Sequence, residues 1–206
     1  MELLKQRILQ DGKVLQGDIL KVDSFINHQI DSKLAFEIGH EFYKRFSDAH
    51  IDKILTIETS GIAFALCAGI HFDVPVVFAK KQAGGNMSPE VYQGKVHSYT
   101  KQTDYTISVS RCFLRAGERV LIIDDFLANG QAVLGLMDIA EQAGAVVSGV
   151  GIVIEKGFQP GSQILHSLGV RLESLVVIDS FQDKNIIFRE ERKNEKKSTL
   201  HGFSGA

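Results

Sequence analysis

The chain has 206 residues, 44% hydrophobic and 23% charged, with a formal net charge of −2 at pH 7. That length suits one large domain with a sizeable core, and the charge excludes a global basic field of the kind that draws nucleic acid. No apolar run is long enough to span a bilayer. The opening MELLKQRILQDG interleaves acidic and basic residues and does not read as a signal peptide. Cys67 and Cys112 have apolar or strand-like neighbours and no metal-ligand spacing, so they read as two reduced thiols in a cytoplasmic protein.

Taken in order, Leu3, Leu4, Ile8 and Leu9 predict a helix over Glu2–Gln10, stopped by Gly12. Val14–Val22 reads as an extended, hairpin-like piece, and Asp23-Ser24 as a turn or cap. A second helix is predicted over Ser32–Phe46, with Leu34, Ile38, Phe42 and Phe46 on one face. A strand at Ile51–Ile57, a small-residue helix at Gly61–His71 and a strand at Pro75–Phe78 follow at the pace of a βαβ unit. Residues 82–103, rich in Gly, Ser, Gln and Tyr, break that rhythm; a loop this long in a compact domain is functional or disordered. Strands are predicted at Tyr105–Ser110 and Arg119–Ile123, a helix over Val133–Ala143 closed by Gly144, and a strand at Val146–Ile154. A short helix at Gln163–Leu168 and a last core strand at Leu175–Ile178 complete the pattern. Glu190–Lys197 reads as a solvated charge run and residues 193–206 as a polar, disordered tail. With no internal repeat and no linker, 1–206 reads as a single domain.

The chemistry concentrates in Arg119–Ala132, RVLIIDDFLANGQA. Val120, Leu121, Ile122 and Ile123 suit a strand buried on both faces of a parallel sheet. Asp124 and Asp125 follow at its carboxyl end, then the short loop Leu127–Gln131 and an amphipathic run starting near Ala132. Open α/β sheets bind ligands outside the carboxyl ends of their strands. A small-residue loop opening a helix presents free N–H groups to a phosphate, and adjacent acids accept hydrogen bonds from ribose hydroxyls. The local chemistry is that of a ribose-5-phosphate grip. Glu58-Thr59-Ser60-Gly61 likewise ends a strand and opens a helix, offering N–H groups and hydroxyls to an anion, or an N-cap through Thr59 or Ser60. Lys80 and Lys81 add positive charge after the next strand. The seven histidines are scattered and read as structural or surface residues.

The order of hydrophobic strand, two acids, small-residue loop and helix resembles the 5-phosphoribosyl-1-pyrophosphate (PRPP) signature of type I phosphoribosyltransferases. The usual loop carries threonines and a Thr-Gly pair. Asn129-Gly130-Gln131-Ala132 stand here instead, a variant similar to that of bacterial xanthine phosphoribosyltransferases. By order of elements the resemblance runs from about Met1 to Arg192. It implies the type I phosphoribosyltransferase fold: an α/β architecture with a mostly parallel twisted sheet flanked by helices. It also implies a small hood from roughly 1–34 and 156–190. The implied reaction converts xanthine and PRPP to xanthosine 5′-monophosphate and pyrophosphate in purine salvage, without a covalent nucleophile.

By the same resemblance Ala128, Asn129, Gly130, Gln131 and Ala132 bind PRPP, while Asp124 and Asp125 hold the ribose 2- and 3-hydroxyls directly or through Mg²⁺. That ion would be held largely by substrate oxygens and water, with no protein metal site. Ser60, Gly61 and Lys80 are implied to face pyrophosphate, with Thr59 beside them. Residues 82–103 match a mobile lid, with Ser98-Tyr99 over the pyrophosphate. In the hood, Leu20 would pack on the base, Asn27 would hydrogen-bond its edge, Lys156 would meet an exocyclic purine oxygen and Phe181 would stack. The family implies a homodimer; neither nucleic acid nor membrane is an expected partner. The rivals are a PRPP-binding transcriptional regulator of the same fold and a hypoxanthine/guanine enzyme. Lys156 disfavours adenine, and a Rossmann dinucleotide enzyme would need a G-x-G-x-x-G after a strand, which is missing.

Overall fold

A computed structural model describes residues 1–16, 19–82, 90–98, 103–182 and 185–190. Helix α1 (Glu2–Asp11) leads into a small antiparallel hairpin, β1 (Lys13–Leu15) and β2 (Ile19–Lys21), and then into one π-helical turn over Asp23–Asn27. Helix α2 (Ser32–Arg45) starts where the Asp31 carboxylate accepts from the Lys33 and Leu34 N–H groups, each at 3.1 Å. Such a cap is worth about 1 kcal/mol. Then come β3 (Lys53–Ile57), α3 (Gly61–Phe72), β4 (Val76–Gln82), β5 (Val91–Ser98), β6 (Thr103–Ser110) and a 3-10 turn at Arg111–Phe113. They are followed by β7 (Arg119–Leu127), α4 (Gln131–Ala143), β8 (Val146–Lys156), α5 (Gly161–Ser167), β9 (Leu172–Gln182) and β10 (Asn185–Phe188).

Eight of these strands make one sheet in the order β10-β9-β8-β7-β3-β4-β6-β5. The five central strands are parallel, and an antiparallel strand or hairpin finishes each edge. All of β3 is buried, and its side chains alternate between two cores. Ile54 joins the core under α1, α2 and α3, whereas Leu55 and Ile57 join the one under α4 and α5. The N-terminal segment is bound to the far end of the chain: the Met1 ammonium donates to Leu175 O at 2.7 Å, and Leu4, Ile8 and Leu20 share a core with Leu175, Val176 and Ile178.

Three expectations change. Residues 82–103 are not one loop, because Val91–Ser98 pairs antiparallel with Thr103–Ser110 along its whole length and Val96 is buried. Hydrogen-bonded pairing with β6 and one apolar contact outweigh the polar composition. Strand β7 does not stop at Ile123 but continues to Leu127, which pairs with Glu155, so both acids lie inside a strand. The last core strand is longer than Leu175–Ile178 and turns back into β10, an unexpected partner. The polar tail 193–206, most of the charge run at Glu190–Lys197 and Tyr99 of the Ser98-Tyr99 pair lie outside the described residues.

Helices α2 and α3 touch at Gly39, where an added Cβ would fall 2.5 Å from Cys67 C and 2.6 Å from Ala68 N. Gly39→Ala pushes backbone against backbone and should destabilise by about 1–3 kcal/mol, at about 2–4 °C of Tm per kcal/mol for a chain of this size. Calorimetry giving an unaltered Tm would contradict this helix contact.

Candidate active site at the switch between β3 and β7

The parallel sheet begins at β3, grows one way to β4, and resumes on the other side of β3 with β7, β8 and β9. At the carboxyl ends of β3 and β7 the connections therefore leave toward opposite faces. A crevice opens at such a switch point. Both chemistry-bearing stretches, Glu58–Gly61 before α3 and Asp124–Ala132 before α4, stand there. The peptide bond between Glu58 and Thr59 is cis.

Asp124 is 4% exposed, and its Oδ1 accepts from the Asp125 N–H at 3.0 Å. Burial raises its pKa well above the ordinary carboxylate value of 3.8; the Asp125 charge and a hydrogen bond between the two carboxyl groups add to this, and Lys81 opposes it. Burial also raises the Asp125 pKa, against hydrogen bonds from Asp124, the Phe126 N–H and the Ser60 hydroxyl. The expected pyrophosphate loop and the acid pair meet where Gly61 closes on Asp124. Gly61 completes the junction: a Cβ there would sit 2.5 Å from Thr56 Oγ1 and 3.0 Å from Asp124 Oδ1.

The loop after β7 turns through Gly130 at φ +78°, a left-handed conformation that favours glycine. It is buttressed by α5, whose Gly161 N–H donates to Ala128 O at 2.9 Å. Ala128, Asn129, Gly130, Gln131 and Ala132 line a cavity of about 190 Å³, which Tyr105 of β6 also borders. This loop has no charged side chain. Its attraction for an anion comes from the N–H groups and the dipole at the start of α4.

Strand β4 extends past Phe78 and so separates the two lysines. Ala79 and Val77 pack toward the α4 side, and Lys81 shares their parity, whereas Lys80 shares that of Val76 on the α3 side. Lys81 Nζ lies 5.5 Å from the Tyr105 ring centroid, and its charge acts on Asp124. Its N–H donates to Glu58 Oε1 at 2.6 Å. Sequence reasoning favoured Lys80. The strand period, carried two residues further, sets Lys80 and Lys81 on opposite faces of β4.

On the hood side, Leu20 is 6% exposed in a core that Phe126 and Phe181 also reach, while Asn27 is exposed at the end of the π-helical turn. Lys156 ends β8 in register with Ile178. Phe158, just beyond it, meets Phe181 edge-on at 5.6 Å between centroids. Sequence reasoning missed the neighbouring Glu155. It is 4% exposed, accepts from the Ser174 hydroxyl at 2.5 Å and lies 3.9 Å from Arg189. No spacing in the sequence signals that cluster, because its members come from three strand ends. Of the cysteines, Cys67 is half-buried with its pKa raised by burial, and Cys112 is exposed beside Ser110. Among the described residues, no group of three or more His, Cys, Asp and Glu is arranged to hold a metal.

The model of the phosphoribosyl transferase domain matches residues 27–159. The chain belongs to the phosphoribosyltransferase family and is an enzyme of that class. Within the family, its relatives matched over their full length include xanthine enzymes. It is 57% identical over 190 residues to xanthine phosphoribosyltransferase 1 of Clostridium perfringens, covering 92% of this chain and 100% of that protein. It is 55% identical over 191 residues to the xanthine phosphoribosyltransferase of Levilactobacillus brevis, covering 93% and 100%. A solved adenine phosphoribosyltransferase from Rhodothermus marinus superposes with TM-score 0.69 at 20% identity, covering 86% of this chain and 100% of that one, a likeness of fold. The expected α/β architecture is therefore the observed one.

A raised Asp124 pKa has a consequence for stability. Below 3.8 the carboxyl is protonated in both states and burial carries no ionisation cost. As pH rises from there through the raised native value, the unfolded chain ionises more readily and native stability falls. Asp124→Asn should therefore raise the Tm of the ligand-free protein at pH 7.5, with a smaller difference at pH 4, while turnover drops. Equal differences at the two pH values would remove the burial argument.

Proposed function

We propose that the chain transfers the 5-phosphoribosyl group of PRPP to xanthine, giving xanthosine 5′-monophosphate and pyrophosphate for purine salvage in the cytoplasm. The observation that carries this is the close approach of Gly61 to the Asp124 carboxyl group, which sets two anion-binding helix starts beside one acid pair. The α4 loop takes the 5-phosphate, Ser60 and Gly61 take pyrophosphate, and Asp124 and Asp125 stand between them at the ribose hydroxyls. Xanthine is favoured over other purines by the relatives, 52–57% identical at nearly full length, that carry its name.

The base nitrogen forms a bond to ribose C1 as the C1–O bond breaks. The electron pair leaves on pyrophosphate, and the ring N–H proton goes to solvent. Positive charge grows on the ribose and negative charge on the leaving oxygens. The Gly61 N–H at the start of α3, the Ser60 hydroxyl and the Lys81 cation stand where the negative charge develops. The acid pair fixes the ribose so that C1 faces the base. Carboxylate oxygens beside a phosphate-rich substrate fit Mg²⁺, which keeps most of its ligands from substrate and water; bound there, it would neutralise pyrophosphate charge. Lys156 donates to an exocyclic oxygen of the purine, Leu20 belongs to the wall behind the base, and Asn27 pairs with its edge. A homodimer is part of the same proposal. What supports it is the exposed apolar face of α2 and α3, with Phe36, Tyr43, Leu66 and Ile70.

Pyrophosphate release from PRPP with Mg²⁺ should be far faster with xanthine than with hypoxanthine, guanine or adenine. Dominant turnover with another base would overturn the hood assignment, and PRPP binding without any turnover would favour a regulator. Lys81→Ala should lower kcat/KM by about 10²-fold, in the range for removing one group that stabilises transition-state charge, whereas Lys80→Ala should change it far less. The reverse ranking in the same assay would return the role to Lys80. Asn27→Ala should raise KM for base more than KM for PRPP.

A further inference from the structure

The cradle formed by residues 128–132 offers a dianion only backbone N–H groups and the two side-chain amides of Asn129 and Gln131. A phosphate monoester has more lone pairs than one loop can meet, and its open side faces the edge hairpin. The hairpin residues bordering that cavity are Val96, His97 and Tyr105. Val96 and Tyr105 are cross-strand partners on the side packed toward α4, whereas the next pair, His97 and Asp104, is joined through Nδ1 and Oδ1 at 2.5 Å. Strand alternation points that second pair to the other face. Among the described residues lining the cavity, Tyr105 carries the only hydroxyl.

We propose that Tyr105 is a phosphoribosyl-binding residue whose hydroxyl donates to the 5-phosphate of PRPP and of the product nucleotide, closing the side of the cradle that the α4 loop leaves open. This rests on the assignment of residues 128–132 as the 5-phosphate site. The ring is half-buried against the core under α4, so the hydroxyl arrives on a fixed support. Lys81 packs its charge over the same ring, which links the phosphate side of the site to the pyrophosphate side through one aromatic group. Burial raises the pKa of the phenol, which stays protonated and therefore a donor. Neither the loop motif nor the acid pair contains this residue, and it lies 23 positions before Ala128 in the chain.

The test is Tyr105→Phe, which keeps the ring and its packing and removes only the hydroxyl. Titration calorimetry with ribose 5-phosphate and, separately, with pyrophosphate reads the two subsites apart, beside steady-state kinetics. A hydrogen bond to a charged group is worth about tenfold or more in affinity. The Kd for ribose 5-phosphate and the KM for PRPP should rise by that factor, with the Kd for pyrophosphate, the KM for xanthine and the Tm unchanged. Gly130→Ala, strained at positive φ, serves as the control on the cradle itself. If it weakens ribose 5-phosphate and Tyr105→Phe does not, Tyr105 is no phosphate ligand and the cradle stands. If neither variant weakens ribose 5-phosphate, the cradle assignment falls with it. If Tyr105→Phe weakens pyrophosphate equally, its effect is a distortion of the whole site and the proposal is overturned.

Discussion

Asp124 lies under the first turn of α3 in a contact that only a residue without a side chain permits. Gly61 brings the helix start down onto Thr56 and the carboxyl group, closer than any Cβ would allow. The helix N-terminus, the hydroxyl of Ser60 and the distal charge of Lys81 then make an environment in which two adjacent acids can be buried. An acid pair desolvated in this way is costly without partners. Burial raises the pKa of both acids, and the Asp125 N–H donated to Asp124 and the charge of Lys81 offset part of that cost. Hydroxyl donors are the natural complement of such a pair.

The sheet topology makes this contact possible. Because the chain returns to place β7 beside β3, a helix start from one side of the sheet and an acid pair from the other become neighbours. The helices leave toward opposite faces, α3 over one core and α4 over the other. A ligand lying between their N-termini meets two positive dipole ends at once, which suits a molecule bearing phosphate at one end and pyrophosphate at the other. The edge hairpin adds Tyr105 and bears on the same crevice.

The hood is built differently. Its parts come from the two ends of the described chain, held together by the Met1 ammonium on Leu175 and by a shared apolar core. Arg7 also reaches Asp31 at 3.1 Å, joining α1 to the cap of α2. Glu155, Ser174 and Arg189 form a second polar knot next to Lys156. The proposed base side of the crevice thus depends on long-range contacts, while the proposed phosphate side depends on local turns.

That difference also separates what could be read without coordinates. The run Val120–Ile123, the two acids and the glycine loop determined a buried strand, a tight turn and a helix start, because each is set by local hydrophobicity and backbone conformation. The same local logic made α2 legible in the apolar spacing from Leu34 to Phe46, although its Asp31 cap was seen only in the structure. Only tertiary structure decided that β7 runs on to Leu127, since its extra hydrogen bonds come from β8, and that Val91–Ser98 is a strand, since its partner β6 supplies the ladder. The parity that separates Lys81 from Lys80, and the meeting of Gly61 with Asp124, depend on how far a strand continues and which strands adjoin. Those are non-local choices, made by pairing and packing energy, which no window of sequence contains.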